Sequence, residues 1–341
     1  MAAATLQDVA DKAGVHVATA SRALNPATRD KVSPRTLRRV LAAAEKLNYR
    51  SNTAARMLRT RRSQVIGILV PDILNPLYAA VVRGAEQVLT AHGYTSLILN
   101  TDNDPEIAAR HFRVLQDWQA DGFIFGNAYV EDPLITAAAE AGVPMVLMLR
   151  SVAGLSVPFV NVDERLGIRL AVDHLVGLGH TRIGHVPGPP TISTAVARLE
   201  AFQETMAAHG IEVPPGAVVA ARDYTAEAGE EAAERLVATD PALTAVVAGN
   251  DLLALGLISG LARHGRQCPR DVSVVGFNDM PLADRFAPPL TTIRTPQREV
   301  GAEAARTLLR GLADDDAVAR SIELTPQIVV RGSTTAPRAD G

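Results

Sequence analysis

Short apolar runs alternate with amphipathic segments through most of this chain, and no other feature constrains its fold as strongly. The first series has the runs VIGILV, SLILN, GFIFG and PMVLML, with helical patterns over 77–92, 105–119 and 133–141. The second has PFVNV, RIGHV, 217–221, AVVAG and VSVVGF, with helical patterns over 166–178, 195–209, 226–239 and 252–264. Continuous apolar strands separated by helices are typical of parallel sheets that are covered on both faces. The two series therefore predict a body of two α/β lobes.

A body of this kind has a preferred place for a ligand. Open parallel sheets bind ligands beyond the carboxyl ends of their strands, and clefts between lobes are the usual small-molecule sites. We therefore expect a binding cleft between the two lobes.

The charge changes sign along the chain at residue 62. Residues 1–62 hold 13 Lys and Arg against 4 Asp and Glu, a net charge of +9, whereas residues 63–341 hold 21 against 33, a net charge of −12. A basic front end on an acidic body is typical of a protein whose first module contacts the phosphates of nucleic acid. Charge alone also fits a basic face that is only solvated.

Three short helices are predicted in the basic segment. Thr5 and Asp8 have the spacing of a capping box, which starts a helix over 6–13, and Gly14 allows a tight turn after it. Ser33 and Pro34 begin a third helix, whose buried face is expected to consist of Leu37, Val40, Leu41, Ala44 and Leu47.

The second of these helices has two different faces. Ala20, Ala23 and Leu24 form an apolar stripe, and the opposite face carries Val17, Ala18, Ser21 and Arg22. Small residues at a close helix crossing with glycine between the helices indicate a helix-turn-helix, in which the second helix reads bases in the major groove. A generic three-helix bundle is the alternative.

The amino-acid sequence of this segment favours the helix-turn-helix interpretation. TLQDVADKAGVHVATASRALN and VSPRTLRRVLAAAEKLNYRSNTAARMLRTRRS resemble the DNA-binding head and hinge of the lactose-repressor (LacI/GalR) family. The resemblance implies that Val17, Ala18 and Arg22 contact bases. It also implies further DNA contacts from Thr5, His16, Thr19, Ser21 and Asn25.

His16 departs from the family pattern, which has serine at the start of the recognition helix. Imidazole is a poorer cap than a hydroxyl. We therefore expect either a looser helix start or a direct contact between His16 and a phosphate.

The stretch from 52 to 62 is similar to the family's hinge, which becomes helical on operator DNA. Leu58 matches the residue that enters the minor groove and kinks the duplex. Arg56, together with Arg59, Arg61 and Arg62, would attract phosphates and make binding depend on salt.

The rest of the chain resembles the family's effector domain, whose fold is that of periplasmic sugar-binding proteins. The matching stretches include GILVPDILNPLY, HLVGLGHTRIGHVPGP and SVVGFND. The resemblance implies that Arg198 grips the effector and that Tyr224 stacks on it, and a guanidinium fork suits a diol or a carboxylate. The other expected effector contacts are Asn75, Tyr78, Asn250 and Asn278.

The resemblance also implies domain boundaries. A helix-turn-helix domain is expected over 1–49, a hinge over 50–62 and a two-lobed effector-binding and dimerisation domain over 63–341. Lobe 1 would take about 63–161 and 294–324, and lobe 2 about 162–293 and 325–331. The chain would cross between the lobes near 161–163, 291–294 and 324–325.

Two departures in the cleft bear on the ligand. Asn278 stands where many relatives have aspartate, and Leu149 stands before Arg150 where an acidic or amide residue is common. These departures weaken the case for a fully hydroxylated hexose, and a smaller, deoxygenated or anionic effector stays open. Asp163 has a simpler interpretation as a helix cap at Leu166.

Two other classes of protein agree less well with the sequence. An enzyme is disfavoured because no motif for nucleophile activation, zinc hydrolysis or phosphate binding occurs, and His174, His180 and His185 do not share a helical face. A secreted sugar-binding protein is disfavoured by the basic front end and by the absence of a secretory signal pattern at the start. The single cysteine, Cys268, excludes an internal disulfide framework and a multi-cysteine metal cluster.

The sequence thus predicts an all-α helix-turn-helix head followed by an α/β two-lobed effector domain of the periplasmic-binding-protein type. The expected protein is a ligand-responsive transcriptional regulator, a repressor by preference, that binds a palindromic DNA operator as a homodimer. We expect a sugar-like small-molecule effector, no cofactor, no metal, no membrane contact and a cytoplasmic location.

Overall fold

Residues 4–24, 28–49, 62–314 and 321–338 are described by a computed structural model. The chain divides into two units, Met1–Ser63 and Gln64–Gly341. The expected DNA contacts Asn25, Arg56 and Leu58 lie outside the described residues. No helix in the described ranges has the length and apolar character that crossing a bilayer requires.

The first unit contains the three expected helices. They are α1 (Leu6–Ala13), α2 (Val17–Leu24) and α3 (Pro34–Lys46), with a single turn of 3₁₀ helix at Arg29–Lys31. The N–H of Asp8 donates to the hydroxyl of Thr5 (3.2 Å), and the N–H of Thr5 donates to the carboxylate of Asp8 (2.7 Å), which completes the capping box. Gly14 follows α1 with φ 60°, in the left-handed region that favours glycine.

Small apolar residues form the core of this unit. Val9 and Ala10 of α1, Ala20 of α2 and Val40 of α3 are fully buried. Leu41 was predicted to lie in the buried face of α3, and this prediction is wrong because 45% of its surface is exposed. One residue further along a helix rotates the side chain by about 100°, so Leu41 faces away from the contact that Val40 makes.

Lobe 1 of the second unit is built on a six-stranded sheet. Its strands are β1 (Val65–Val70), β2 (Thr95–Asn100), β3 (Gly122–Phe125), β4 (Met145–Met148), β5 (Phe159–Val162) and β10 (Ile322–Leu324). They lie in the order β10-β5-β4-β3-β1-β2, and all pairs are parallel. Its helices are α4 (Pro76–Ala91), α5 (Pro105–Asp117), α6 (Pro133–Glu140) and α11 (Gln297–Ala313).

Lobe 2 is built on a five-stranded sheet. Its strands are β6 (Ile183–Val186), β7 (Ala245–Ala248), β8 (Ser273–Asn278), β9 (Thr291–Arg294) and β11 (Gln327–Val329). They lie in the order β11-β9-β8-β7-β6, and only the β11–β9 pair is antiparallel among these strands. Its helices are α7 (Glu164–Gly177), α8 (Ser193–Ala208), α9 (Ala226–Thr239) and α10 (Asp251–Arg263), and a 3₁₀ turn spans Ala283–Arg285.

Helices cover both faces of each sheet, which confirms the predicted fold class. In lobe 1, α4 and α11 pack on one face, and α5 and α6 on the other. In lobe 2, α9 and α10 cover one face, and α7 and α8 the other. Because both faces are covered, the inner strands β1, β3, β4 and β7 are continuous apolar runs.

The α4–α11 contact explains why glycine is needed at Gly301. A Cβ atom on Gly301 would lie 1.8 Å from the carbonyl oxygen of Val81, and one on Gly84 would lie 1.9 Å from that of Arg298. The two helices therefore cross with their backbones almost in contact.

The chain passes from one lobe to the other in three of the connections between described elements. These are β5 to α7 at Asp163, β9 to α11 after Arg294, and β10 to β11 after Leu324. Arg294 still pairs with Asn278 in the sheet of lobe 2, so the second crossing lies just beyond it.

Two differences from the predicted elements stand out. The run 217–221 was predicted as a strand, but it makes only a single parallel bridge, between Val218 and His185. The helix α11 was not predicted at all, although Val300, Ala304 and Leu308 give it an apolar face.

Candidate functional site: the cleft and the recognition helix

A cavity of about 260 Å³ lies at the carboxyl ends of the strands of both lobes. All six residues that were expected to contact the effector line it: Asn75, Tyr78, Arg198, Tyr224, Asn250 and Asn278. The fold thus brings together residues that lie up to 203 positions apart in the sequence. Their contact with a ligand stays a prediction.

Arg198 lies in α8 and is 5% exposed. Its Nε donates to the carboxylate of Glu164 at 2.6 Å, its Nη1 donates to the carbonyl of Gly249, and its guanidinium lies 4.0 Å from the ring centre of Phe277. The arginine is therefore fixed in place, and only part of its fork is left for a ligand.

Glu164 is the partner that the sequence analysis missed. It begins α7, it is 7% exposed, and it lines the cavity. Burial raises the pKa of its carboxyl group, and the opposite charge of Arg198 counteracts this only in part. In the sequence it looks like an ordinary acidic residue in the first turn of a helix.

Two of the asparagines also start helices. The side chain of Asn75 accepts from the N–H of Leu77 (3.1 Å), and that of Asn250 accepts from the N–H of Leu253 (2.8 Å). These caps fix the amides at the rim of the cavity. Because the carbonyl oxygen is used in each cap, the amide N–H₂ group is the part left to meet a ligand. That of Asn250 also donates to the backbone carbonyl of Tyr224 (3.4 Å).

Asn278 ends β8 inside the cavity, and its exposed fraction is 6%. Its φ of 110° is a conformation that residues other than glycine rarely adopt. Its backbone carbonyl accepts from the side chain of Gln297 at 2.7 Å, a contact from lobe 2 to the first turn of α11 in lobe 1. Strained backbone of this kind clusters at ligand sites.

The two tyrosines belong to opposite lobes. Tyr78 is 4% exposed and its hydroxyl donates to the carbonyl of Gly126 (3.1 Å). The hydroxyl of Tyr224 lies 3.2 Å from that of Thr194, and its ring fills the space next to Gly188, where a Cβ atom would lie 2.1 Å from it. Each phenol is therefore positioned by its own lobe.

Asp163 caps α7, since its carboxylate accepts from the N–H of Leu166 at 2.8 Å. This is the simpler of its two interpretations. The helix begins at Glu164, two residues before the predicted start.

His174, His180 and His185, the candidate metal ligands of the sequence analysis, lie in lobe 2 and do not line the cavity. His185 is fully buried, its Nδ1 donates to the carbonyl of Val247 (2.8 Å), and its ring stacks on Phe202. Burial lowers the pKa of His185 to about 4. His174 and His180 each hydrogen-bond to threonines.

In the head, α2 presents the residues expected to read DNA. Ala18 and Arg22 are exposed, and Val17, Thr19 and Ser21 are half-buried. His16 precedes the helix and caps it, because its Nδ1 accepts from the N–H of Ala18 at 3.2 Å. The imidazole of His16 thus caps the helix, in the place of the serine hydroxyl of the family pattern.

Thr5 lies at the start of α1, exposed, with its hydroxyl engaged in the capping box. The guanidinium of Arg39 in α3 donates to the carbonyls of Ala13 and Gly14, which ties the turn between α1 and α2 to the third helix. The recognition helix is therefore supported by both of its neighbours.

Comparisons with known proteins agree with this architecture. The family described as "Bacterial regulatory proteins, lacI family" matches residues 5–52, and the "Periplasmic binding protein-like domain" matches residues 172–334. The protein named "HTH-type transcriptional repressor PurR" of Photobacterium profundum is 33% identical over 331 residues, which cover 97% of this chain and 98% of that protein.

Two solved structures extend the comparison to the fold. The lac repressor dimer bound to operator and the anti-inducer ONPF is 27% identical with a TM-score of 0.85, and the match covers 98% of this chain and 100% of that one. The complex of the transcriptional regulator CelR with cellobiose is 30% identical with a TM-score of 0.73, over 97% and 99% of the two chains. A relative is more than 30% identical along almost the whole of this chain, and both the head and the body have a match. This chain therefore belongs to the LacI family of bacterial regulatory proteins.

Proposed function

We propose that this chain is a ligand-responsive transcriptional regulator, and by preference a repressor, that binds an inverted-repeat operator as a homodimer. Relatives that match along the whole chain are transcriptional repressors, and one structural match is a dimer on its operator. Two-fold symmetry in the protein then matches two-fold symmetry in the DNA.

The effector is proposed to be a sugar or a similar small polar metabolite that is bound in the cleft. The single observation that carries this proposal is the cavity of about 260 Å³ in which all six expected residues meet. A structural match binds cellobiose and another binds ribose. A few fixed polar groups in a mostly buried cleft are what a small polar ligand requires.

Allostery follows from where the cleft lies. Two of the three connections between the lobes contribute to its lining, through Glu164 and Thr295, and Gln297 of α11 contacts Asn278 of β8 across the lobes. A ligand that binds one arrangement of the lobes better than another shifts the population toward that arrangement, and operator affinity changes with it.

Exposed apolar side chains support self-association of the body. Ile73 and Leu74 are 55% and 86% exposed, and the N–H of Ile73 donates to the side chain of Asn100 at the end of edge strand β2 (2.9 Å). Ile98 of the same strand is 41% exposed. These residues are exposed apolar surface of the kind that a second copy of the chain would cover.

The proposal includes no catalytic step, since the relatives are transcriptional regulators. A regulator of bacterial transcription acts on DNA in the cytoplasm, which is where we place this protein.

Selection from a pool of random duplexes with the full chain tests the proposal. We expect enrichment of an inverted repeat whose half-sites are read by the residues of α2. Enrichment of no palindrome over scrambled duplex, with or without small molecules, would leave only a small-molecule binding protein.

A further inference from the structure

Arg150 is a buried cation in the wall of the cleft. It follows β4 by two residues, it is 4% exposed, and it lines the cavity. Its Nη1 and Nη2 both donate to one oxygen, the side-chain carbonyl of Asn103, at 3.3 and 3.4 Å. Both contacts are long, and the acceptor is a neutral amide.

No carboxylate within the described ranges lies close enough to Arg150 to form an ion pair. The side chain of Tyr78 is a hydrogen-bond partner of Arg150, but a neutral phenol does not replace a carboxylate. Burial raises the pKa of Tyr78 and of Tyr129, although the positive charge of Arg150 acts in the opposite direction in both. Both tyrosines therefore stay neutral beside the guanidinium.

The other two arginines in the wall are paired. Arg198 has Glu164 at 2.6 Å, and the exposed Arg222 has Asp223 and Glu231, each at 3.1 Å. The wall contains one further carboxylate, that of Asp72, which is half-buried and accepts from the N–H of Leu74 (2.8 Å). Arg150 is therefore the deeply buried charge of the cavity wall without a counter-charge.

A charge that is removed from water needs a partner of opposite sign, because neutral hydrogen bonds replace only part of its solvation. The residue before Arg150 does not provide one, since it is Leu149. Leu149 has φ 66° and Asn103 has φ 53°. The residue before Arg150 and the residue that accepts its hydrogen bonds are therefore both in left-handed backbone. For an aliphatic residue such as Leu149 this conformation is rare, and strained backbone of that kind clusters at ligand sites.

We propose that the effector carries a single carboxylate, which pairs with Arg150, and that its hydroxyl groups meet the amides of Asn75 and Asn278. The effector class is then a hydroxy acid such as a sugar acid. This rests on the proposed function, since it names the ligand of that cleft. One unpaired guanidinium balances one negative charge, whereas a phosphate group, with up to two, would leave a charge unbalanced in a buried wall.

Paired probes of equal size test the charge requirement. Full-length protein is titrated with gluconate and galacturonate, with the neutral sugars glucose and galactose, and with glucose 6-phosphate, at constant ionic strength. We expect an acid of the panel to raise the unfolding temperature, while its neutral counterpart and the phosphate do not.

Two variants locate the effect. Arg150→Met should weaken binding of the acid by about 30-fold or more, since it removes one partner of a buried charge pair. Arg222→Met is the matched control, because it removes an arginine from the same wall that is exposed and paired. It should leave the affinity for the acid unchanged.

The protein without ligand gives a second and independent readout. Arg150→Met should unfold at a higher temperature than the wild type, because it removes an unpaired buried charge. Arg222→Met should change the unfolding temperature little.

Any of three results overturns the proposal: acids that stabilise no better than their neutral counterparts, a phosphate that binds better than the acids, or Arg150→Met with a lowered unfolding temperature. If the selected operator is still bound in that case, only the carboxylate assignment is wrong. If operator preference is absent as well, the proposed function itself is wrong.

Discussion

The carboxylate of Glu164 and the guanidinium of Arg198 form a buried ion pair in the cleft, with Nε and Oε2 2.6 Å apart and both residues less than 10% exposed. Glu164 comes directly after the chain enters lobe 2, and Arg198 lies on the helix packed beside it. The pair holds the arginine that is expected to grip the effector. Its integrity should therefore affect both the stability of the lobe and the response to ligand.

The first prediction concerns stability. Arg198→Met leaves the carboxylate of Glu164 buried without a partner, and we expect the free energy of unfolding to fall by about 3 to 5 kcal/mol in urea denaturation. The double variant with Glu164→Gln should regain part of this loss. Arg165→Met, which breaks exposed pairs with Glu200 and Glu204, should cost less than about 1 kcal/mol. Equal losses for Arg198→Met and Arg165→Met would show that the buried pair contributes no more to the free energy of unfolding than the exposed pairs do.

The second prediction concerns the response to effector. Arg198→Lys keeps the positive charge beside Glu164 but loses the planar fork of donors. We expect operator affinity in the absence of effector to match the wild type, while the change of affinity on adding effector disappears. Anisotropy of a labelled duplex measures both. A parallel loss of DNA binding and of ligand response would contradict the role assigned to Arg198.

The third prediction concerns Asp251, next to Asn250 at the start of α10. Its carboxylate is 1% exposed and accepts from the hydroxyl of Thr292 and from the N–H of Met280. Burial raises the pKa of Asp251 from its usual value of 3.8 to about 7. The folded state therefore holds this proton more tightly than the unfolded state.

The sign of the pH dependence follows from this shift. The contribution of Asp251 to stability is greatest below about pH 4 and is lost as the pH rises toward about 7. Other carboxyl groups titrate too, so the measurement is the difference between wild type and Asp251→Asn in denaturant unfolding at several pH values. We expect the wild type to lose stability relative to the variant between about pH 4 and 7, with little further change above that range. A constant difference would show that Asp251 is already ionised in the folded protein at low pH.

Much of this protein could be predicted from its sequence, because the strands and helices have strong local signals. The six effector residues were assigned from the family resemblance, and the fold then placed them around one cavity. Glu164 could not be found in this way, since a glutamate in the first turn of a helix is also favoured by the helix dipole. Only the packing of α7 against α8 brings it to Arg198.

Arg150 was missed for a related reason. The sequence shows an arginine after a strand, and nothing local distinguishes a buried, unpaired guanidinium from an exposed one. The run 217–221 lies beside the edge strand β6, and backbone hydrogen bonds join Ala217 and Val219 to His185. Only Val218 forms a bridge before the chain turns toward α9, so the pairing is too short for a strand. The helix α11 had the required apolar spacing at Val300, Ala304 and Leu308 and could have been predicted.

The fourth prediction concerns recognition of bases. Arg22 is exposed on α2, and Arg22→Ala should cost about 1 to 3 kcal/mol of affinity for the selected operator and relax the preference at one position of each half-site. Arg35→Ala, at the start of α3, is a control of equal charge outside the recognition helix, and it should leave the base preference unchanged. Binding is compared at a fixed salt concentration, because phosphate contacts depend on it. Equal loss on operator and on random duplex would place Arg22 at the phosphates.

The most direct test of this account is the operator affinity of the full-length protein with its cleft empty and with its cleft filled. A ligand found by its effect on the unfolding temperature is added at saturation, and binding of the selected inverted repeat is measured by anisotropy. We predict that the dissociation constant changes by about 5-fold to 150-fold, in either direction, which is the usual range of coupling between two sites. An operator affinity that stays the same while the ligand is shown to be bound would contradict the account.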